Sequence, residues 1–196
     1  MPLQLRNPVS LPLERLAPLP EHFAHHSRIH GQGHVSRVII HTLVLADALG
    51  LESHAVPAWA AAHIHDLGRR HDGRCGDHGR YALDRLAAMP ELVSLLAEGG
   101  VAQGDWEGIS AAVENHCRAE LPRTHPHWTL TATLKDADGL DRVRLGDLNP
   151  GFLRFSVSRT LVPFAEALYE ETHMTLRPGP GYFAALWSAA QRLLSD

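Results

Sequence analysis

Long hydrophobic runs, a surplus of positive charge and paired cysteines are all missing from this chain of 196 residues. Because the net charge is −4 with neutral histidines, the composition gives no strong signal of a nucleic-acid partner. No apolar stretch approaches the ~20 residues that a membrane-spanning helix needs, so we expect no membrane partner. The cysteines, Cys75 and Cys117, form neither a CxxC pair nor a disulfide framework. The amino terminus has no charged region followed by an apolar run, so we expect a cytoplasmic protein.

Histidine is the residue that the chain has in excess, at 15 of 196 positions and without a polyhistidine run. It is the commonest metal ligand in proteins and titrates near neutral pH. The length and the 44% of hydrophobic residues can supply the core of one domain. We therefore predict a single domain over residues 1–196, with a proline-rich arm over 1–20 that packs on the surface. We also predict a core over residues 21–145, with carboxy-terminal helices over residues 146–196 that pack on it.

Apolar residues recur at helical spacing along most of the chain, so the sequence predicts an all-α fold of about seven to eight helices. The clearest periodicity covers residues 34–49, where Val35, Ile39 and Thr42 begin a buried stripe. An alanine-rich helix over 57–66 is expected to lie centrally, because small residues let neighbouring helices approach closely. One further helix is predicted to begin after Asp77, which caps it, and to end at Pro90. The other predicted helices cover residues 21–30, 91–98, 105–117, 128–143, 162–172 and 182–194.

Histidines and aspartates stand at positions where several of these predicted helices begin, end or face the core. His65 and Asp66 are adjacent at the end of the alanine-rich helix, so their side chains point about 100° apart and can hold one metal ion from neighbouring sides. His34 lies in a first helical turn. His116 continues one apolar stripe, and Asp138 lies on another, where a carboxylate is costly unless it is paired or metal-bound. These five residues are the first candidates for metal ligands.

In chain order, His34, the pair His65-Asp66 and Asp138 resemble the H…HD…D signature of the HD-domain superfamily of metal-dependent phosphohydrolases. The segments that carry the resemblance are H-G-Q-G-H-V-S-R-V, A-H-I-H-D-L-G-R and L-K-D-A-D-G-L-D-R-V-R, and together they cover about residues 24–145. The resemblance implies an HD-domain helical bundle in which these four residues hold a first divalent metal ion.

The resemblance also implies a second metal ion. In HD proteins with two metals, a histidine after the HD helix and another on a later helix complete that site. Here D-H-G contributes His78 and E-N-H-C contributes His116, with Asp66 bridging the two ions. A one-metal site that uses only the four core ligands is an alternative. His30, one helical turn before His34, is an alternative candidate for the ligand position given to His34. The expected metal is manganese, iron, nickel, cobalt, zinc or magnesium, with one or two ions per chain.

A phosphohydrolase with this site would cleave a phosphoester or phosphoanhydride bond in a small phosphorylated metabolite, with a nucleotide as the leading candidate, through metal-activated water. The resemblance gives the catalytic roles to His65, Asp66 and Arg69. Arginine matches the geometry of phosphate, and the loop after the HD pair is rich in it. The predicted phosphate contacts are Arg69, Arg70 and Arg74, with Arg118 and Arg142 as second choices.

Two other functions stay open. Some HD-fold proteins with the six-ligand set hold two irons and use oxygen to cleave C–C or C–P bonds, and the ligands alone do not separate them from hydrolases. A non-catalytic nucleotide or metal sensor is the third hypothesis. The aspartates on either side of Asp138, Asp136 and Asp141, are predicted to be solvated helix charges. The histidines predicted to be non-ligands are His41, His63, His71, His125 and His127.

Overall fold

The structure is a computed structural model that describes residues 3–195. The first two residues of the predicted arm and the last residue of the predicted carboxy-terminal region lie outside this range. Helices are the only regular secondary structure within it, which confirms the predicted all-α fold. No helix in this part of the chain is both long and apolar enough to span a bilayer. The nine α helices of the described residues are α1 (Gln32–Ala48), α2 (Ala55–Ile64), α3 (His78–Ala87), α4 (Pro90–Glu98), α5 (Trp106–Asn115), α6 (Trp128–Leu140), α7 (Ser156–Thr160), α8 (Val162–His173) and α9 (Tyr182–Ser195).

Helices α1 and α2 form the centre of the bundle. Every residue over 34–46 of α1 is buried, and so is every residue over 57–64 of α2. Helix α1 packs against α2 and α6, and α2 also packs against α5. Ala60, Ala61 and Ala62 are completely buried, and their small side chains permit these close approaches. The prediction that the alanine-rich helix lies centrally is therefore confirmed.

The proline-rich arm enters the core, so the prediction that it packs on the surface is wrong. Leu5 and Leu16 are buried, and Leu16 has no exposed surface at all. The Leu16 carbonyl accepts hydrogen bonds from Nε1 of Trp59 at 2.8 Å and from Nδ1 of His63 at 3.0 Å. Prolines limit the arm's own secondary structure, but its leucines still bury apolar area in the core.

The predicted helix over residues 21–30 does not form. The N–H of Ala24 donates to the carbonyl of Leu67 at 2.8 Å instead of to the chain before it. The Ser27 hydroxyl accepts two backbone N–H groups, one of them from His30 at 2.8 Å. Such local bonds from serine compete with helical ones. The resulting loop holds His30 beside the start of α1.

Three helices that carry candidate ligands end earlier than the sequence predicts. Helix α2 stops at Ile64, α5 stops at Asn115, and α6 stops at Leu140 before a short 3-10 turn. His65 and His116 therefore each follow directly on the last residue of a helix. The last carbonyls of a helix lack intrahelical partners and are free to accept bonds from such side chains.

The buried leucine of the arm provides a test of this packing. Leu16→Ala is expected to lower the free energy of unfolding by about 2–5 kcal/mol, because it leaves a cavity against α2. Leu19→Ala is the matched control, since Leu19 is 44% exposed, and it is expected to change stability by less than about 0.5 kcal/mol. Urea unfolding measures both. Equal, small losses in the two variants would contradict a buried arm.

Candidate metal centre

The carboxylate of Asp66 lies at the centre of a cluster of histidines, and its side chain is only 2% exposed. Its Oδ2 atom lies 3.4 Å from Nε2 of His34 and 3.8 Å from Nε2 of His65. Its Oδ1 atom lies 3.2 Å from Nε2 of His78 and 3.9 Å from Nε2 of His116. The two oxygens of one carboxylate therefore face two different pairs of histidines.

Each of these four imidazoles is held by a hydrogen bond at its other ring nitrogen, Nδ1. For His65 and His116 the acceptor is a carbonyl oxygen in the last turn of the preceding helix, at 2.7 and 2.6 Å. His78 donates to a loop carbonyl at 2.6 Å, and His34 donates to the Asp141 carboxylate at 2.7 Å. A proton held on Nδ1 leaves Nε2 available to a metal, and such partners orient metal-binding histidines.

Asp138 and His30 add donors around His34. Oδ1 of Asp138 lies 3.4 Å from Nε2 of His34, and His34, His65 and Asp138 each offer an atom within 4.8 Å of the others. Nδ1 of His30 lies 3.2 Å from Oδ2 of Asp66, so His30, His34 and Asp66 form an overlapping group of the same size. The structure thus brings both His30 and His34 to the centre, although the sequence presents them as competitors.

His78 and His116 form the other side of the cluster. Their Nε2 atoms lie 2.7 Å apart, and Cys117 offers its sulfur within 4.8 Å of ring nitrogens of both. A Cβ on Gly79 would lie 2.1 Å from the Val113 carbonyl oxygen, so glycine at this position lets α3 approach α5 closely enough for the imidazoles to meet. These groups of histidine, aspartate and cysteine could hold a metal ion.

The pKa values differ within each pair of histidines. Burial lowers the pKa of His34, but hydrogen bonds with three carboxylates outweigh it and raise that pKa to about 9. Burial also opposes protonation of His78, whose hydrogen bond with Asp66 raises its pKa to about 10. Burial lowers the pKa of His65, and burial with two neighbouring imidazoles lowers that of His116 to about 3. Near neutral pH each pair therefore has one charged and one neutral imidazole.

Asp136 and Asp141 are completely buried, so the prediction that they are solvated helix charges is wrong. Asp141 accepts hydrogen bonds from Nε of Arg37 at 2.5 Å and from His34, and Asp136 accepts one from the Ser158 hydroxyl at 2.6 Å. Every residue over 130–137 of α6 is buried, so the helix has no solvated face at Asp136, and Asp141 follows directly on the buried end of the helix. The apolar and small residues between the aspartates of L-K-D-A-D-G-L-D are the signal that could have indicated this burial.

Only one of the three arginines predicted to contact phosphate touches the cluster in the described structure. Nε of Arg69 donates to Oδ1 of Asp66 at 2.8 Å, and its Nη2 lies 3.5 Å from Nε2 of His78. The exposed guanidinium of Arg70 stacks on the Tyr81 ring at 4.0 Å from its centroid. Arg74 is exposed, and no hydrogen bond or ion pair joins it to the described candidate ligands.

A cleft of about 420 Å³ opens beside the cluster, and both Asp138 and His116 line it. The Asp138 side chain is 34% exposed, whereas the His116 side chain is 1% exposed, so the cleft reaches the cluster mainly at Asp138. Lys135, Arg142 and Arg154 line the same cleft. Neither Lys135 nor Arg154 is among the predicted site residues, although Lys135 lies one helical turn before Asp138 and shares its side of α6.

Two of the histidines predicted to be non-ligands are buried away from Asp66. His63 is directed to the Leu16 carbonyl, and the ring of His41 lies edge-on to that of Phe164, at 5.8 Å between centroids. Burial lowers the pKa of His63 to about 3 and that of His41 to about 4, so both are neutral core side chains.

Comparisons with protein-family models, with curated proteins and with solved structures find no match to this chain. The fold and the cluster define its class as an all-α protein with a buried histidine–aspartate centre that could hold a metal ion. The chemistry of that centre is therefore inferred from its own residues.

Metal binding is expected to release protons. His34 and His78, with pKa values of about 9 and about 10, are charged at about pH 7, and a metal ion must displace their Nε2 protons. The affinity for manganese should therefore rise with pH up to about pH 9 and level off above about pH 10. Calorimetric titrations in buffers of different ionisation enthalpy measure the release, about two protons per chain when both sides fill. A binding enthalpy that does not depend on the buffer would show that these histidines are neutral.

The carboxylate behind His34 should matter for metal affinity. Asp141→Asn is expected to weaken metal binding about 10- to 100-fold, because it removes the group that orients His34. Asp136→Asn is the matched control, since Asp136 is equally buried but binds Arg154 and Ser158 in the described structure. Competition with a chelator measures affinity, and thermal unfolding measures stability. If both variants lost metal affinity equally, the effect of Asp141→Asn would come from a less stable fold and not from the orientation of His34.

Proposed function

We propose that this protein is a metal-dependent phosphohydrolase of the HD-domain type. The observation that carries the proposal is the position of Asp66, whose two carboxylate oxygens face the pair His34 and His65 and the pair His78 and His116. A carboxylate in that position is suited to bridge two metal ions. The order of these residues along the chain supports the same family assignment.

The donor set fits borderline divalent metals. Imidazole nitrogen and carboxylate oxygen together suit manganese, iron, cobalt, nickel and zinc, and the four Nε2 atoms all point at Asp66. His34, His65, Asp66 and Asp138 would hold one ion, and His78, His116 and Asp66 the other. Bound divalent ions would lower the pKa of a water molecule and neutralise charge on a phosphoryl oxygen.

The cleft at Asp138 is where we place the substrate. Its volume of about 420 Å³ suits a small metabolite, and its lining includes three cations, which suit a phosphate group, and two carboxylates, Asp138 and Asp147. Arg142 pairs with Asp147, but both are about half exposed, so that ion pair can open at little cost. Lys135 donates to the Arg118 carbonyl at 2.9 Å and to the Glu120 carboxylate at 3.3 Å, and these bonds fix its ammonium group at the wall of the cleft.

Arg69 has a different role in this proposal from that of the cleft cations. Its guanidinium binds Oδ1 of Asp66 and approaches His78, so it orients the carboxylate between the two histidine pairs. We propose that Arg142, Lys135 and Arg154 contact the phosphate, and not Arg70 and Arg74, which were predicted from the sequence. Cations in the cleft would suit an anionic substrate, and the order of the ligands along the chain favours hydrolysis over the other two hypotheses.

The function is tested by phosphate release from a panel of nucleotides and sugar phosphates, with manganese, magnesium, cobalt or nickel added to metal-free protein. We expect turnover with at least one metal and one substrate. Tight nucleotide binding without turnover would indicate a sensor. A mixed-valent iron pair in protein purified without added metal, detected by electron paramagnetic resonance, together with no phosphate release, would indicate an oxygenase.

The division of the centre into two sides leads to a prediction about metal content. Asp66→Ala is expected to abolish both metal retention and activity, because Asp66 serves both sides. His116→Ala is expected to lower activity while one ion per chain stays bound. His54→Ala is the control, since His54 is exposed and lies outside the cluster. Metal content by mass spectrometry and phosphate release are measured on each. Full activity of the Asp66 variant, or loss of all metal from the His116 variant, would contradict this division.

A further inference from the structure

The two sides of the metal centre differ in the donors that they offer. The side at His34 combines imidazole nitrogens with the carboxylate oxygens of Asp66 and Asp138. The other side has the imidazoles of His78 and His116 and one oxygen of Asp66, which makes three protein ligands where the first side has four. A cysteine follows His116 directly in the chain, and its sulfur lies close enough to both imidazoles to complete this smaller set.

Cys117 lies where the end of α5 meets the loop before α3. Its Sγ atom lies 3.2 Å from the carbonyl oxygen of Gly76 and 3.8 Å from that of Glu114. A ring nitrogen of His78 and one of His116 each lie within 4.8 Å of the same sulfur. The ligand atoms of a tetrahedral zinc site lie roughly 3–4 Å apart, because zinc–nitrogen bonds measure about 2.0 Å and zinc–sulfur bonds about 2.3 Å. A side-chain shift of about 1 Å therefore lets this sulfur share an ion with both imidazoles.

Arg118 fixes the junction at which this sulfur lies. Its guanidinium pairs with Glu114 in the last turn of α5 at 2.6 Å and with Asp77 in the loop before α3 at 3.1 Å. Its Nε donates to the Gly76 carbonyl at 3.4 Å, and the Cys117 thiol contacts the same oxygen. These bonds tie the loop to the end of the helix, so they hold the sulfur at one side of the centre.

A sulfur ligand changes both the metal preference and the openness of this side. Thiolate favours zinc, whereas carboxylate oxygens and water favour manganese and magnesium. Two imidazoles, one oxygen of Asp66 and the Cys117 sulfur make four ligands, the number that closes a tetrahedral zinc site. The side chains of His78 and His116 are 5% and 1% exposed, whereas that of Asp138 is 34% exposed and lines the cleft. Only the side at Asp138 is therefore open to a substrate.

We propose that Cys117 is a thiolate ligand of the ion held by His78 and His116, and that it makes this side of the centre selective for zinc over manganese. The proposal rests on the metal centre of the proposed function, but it does not rest on hydrolysis. As the bond between sulfur and metal forms, the S–H bond of the thiol breaks and its proton passes to the solvent. The closed side fixes α3 against α5, and the side at Asp138 reaches the substrate.

Absorption spectroscopy of the metal-free full chain, titrated with cobalt(II), tests this ligand without an assay of activity. Bonds from thiolate to cobalt absorb strongly in the near ultraviolet, and bonds from imidazole or carboxylate do not. We expect this band in the unchanged protein, and we expect Cys117→Ser to abolish it. Cys75→Ser is the matched control and should keep the band. Cys75 is also a partly buried free cysteine, and the carbonyl with which it binds His78 belongs to the main chain.

Competition with a chelator measures the selectivity on the same variants. Cys117→Ser should weaken zinc binding at least about tenfold, because even groups that only orient a ligand contribute that much. The affinity of this variant for manganese should stay within about threefold of the unchanged protein, since manganese gains little from a thiolate. Cys75→Ser should bind both metals like the unchanged protein.

Several results would overturn the proposal. One is cobalt binding without the near-ultraviolet band in the unchanged protein, and another is a band that persists in Cys117→Ser. Equal losses of zinc and manganese affinity in that variant would also overturn it, because a sulfur that only supports the fold would weaken both. Failure of cobalt to bind at all would remove the metal centre as well. No substrate is present in these titrations, so a missing band does not affect the phosphate-release panel, and a panel without turnover does not affect the band.

Discussion

Burial of the Asp66 carboxylate is the constraint on which the rest of the structure depends. An ionised carboxylate with 2% exposure is less stable than in water by several kcal/mol unless opposite charges and hydrogen-bond donors surround it. Arg69 donates to one of its oxygens at 2.8 Å, and the charged imidazoles of His34 and His78 face one oxygen each. The first turns of α1 and α3, and the residues just after α2 and α5, must therefore meet at one point. That requirement explains why small residues are needed where these helices cross.

A second buried carboxylate extends the same pattern of charge. Asp141 binds His34 with Oδ2 and Arg37 with Oδ1. Positive and negative groups consequently alternate from Arg37 through Asp141 and His34 to Asp66. Removal of one member would leave its neighbours buried without a partner, which costs more than the intact pair contributes. The orientation of His34 and the packing of α1 against the end of α6 are for this reason inseparable.

Features that depend on local spacing could be predicted from the sequence, and features that depend on distant contacts could not. Apolar residues recur at helical spacing along α1, and this pattern indicates that the helix is buried. The order of histidines and aspartates along the chain was enough to identify candidate residues around Asp66. The segment 21–30 has a sequence compatible with a helix, but its backbone bonds to the turn that follows α2. Asp141 has the sequence context of a surface charge until Arg37, 104 residues away along the chain, packs against it. Of the cations beside Asp138, Lys135 and Arg142 lie in the same segment of sequence as Asp138, whereas Arg154 comes from a later turn that no motif contains.

The balance of charge at the centre indicates what kind of ligand two metal ions would require. Three carboxylates and three guanidiniums either belong to the cluster, contact it, or form an ion pair with a residue that contacts it. Their charges cancel. These groups are Asp66, Asp138, Asp141, Arg37, Arg69 and Arg144. The protonated His34 and His78 then leave two positive charges in excess. Two divalent ions in place of those protons would raise the excess to four positive charges. An anion at the open side of the cluster, near Asp138, would restore the balance, and a phosphate group there would bring its negative charge to the place where the surplus is least shielded by protein.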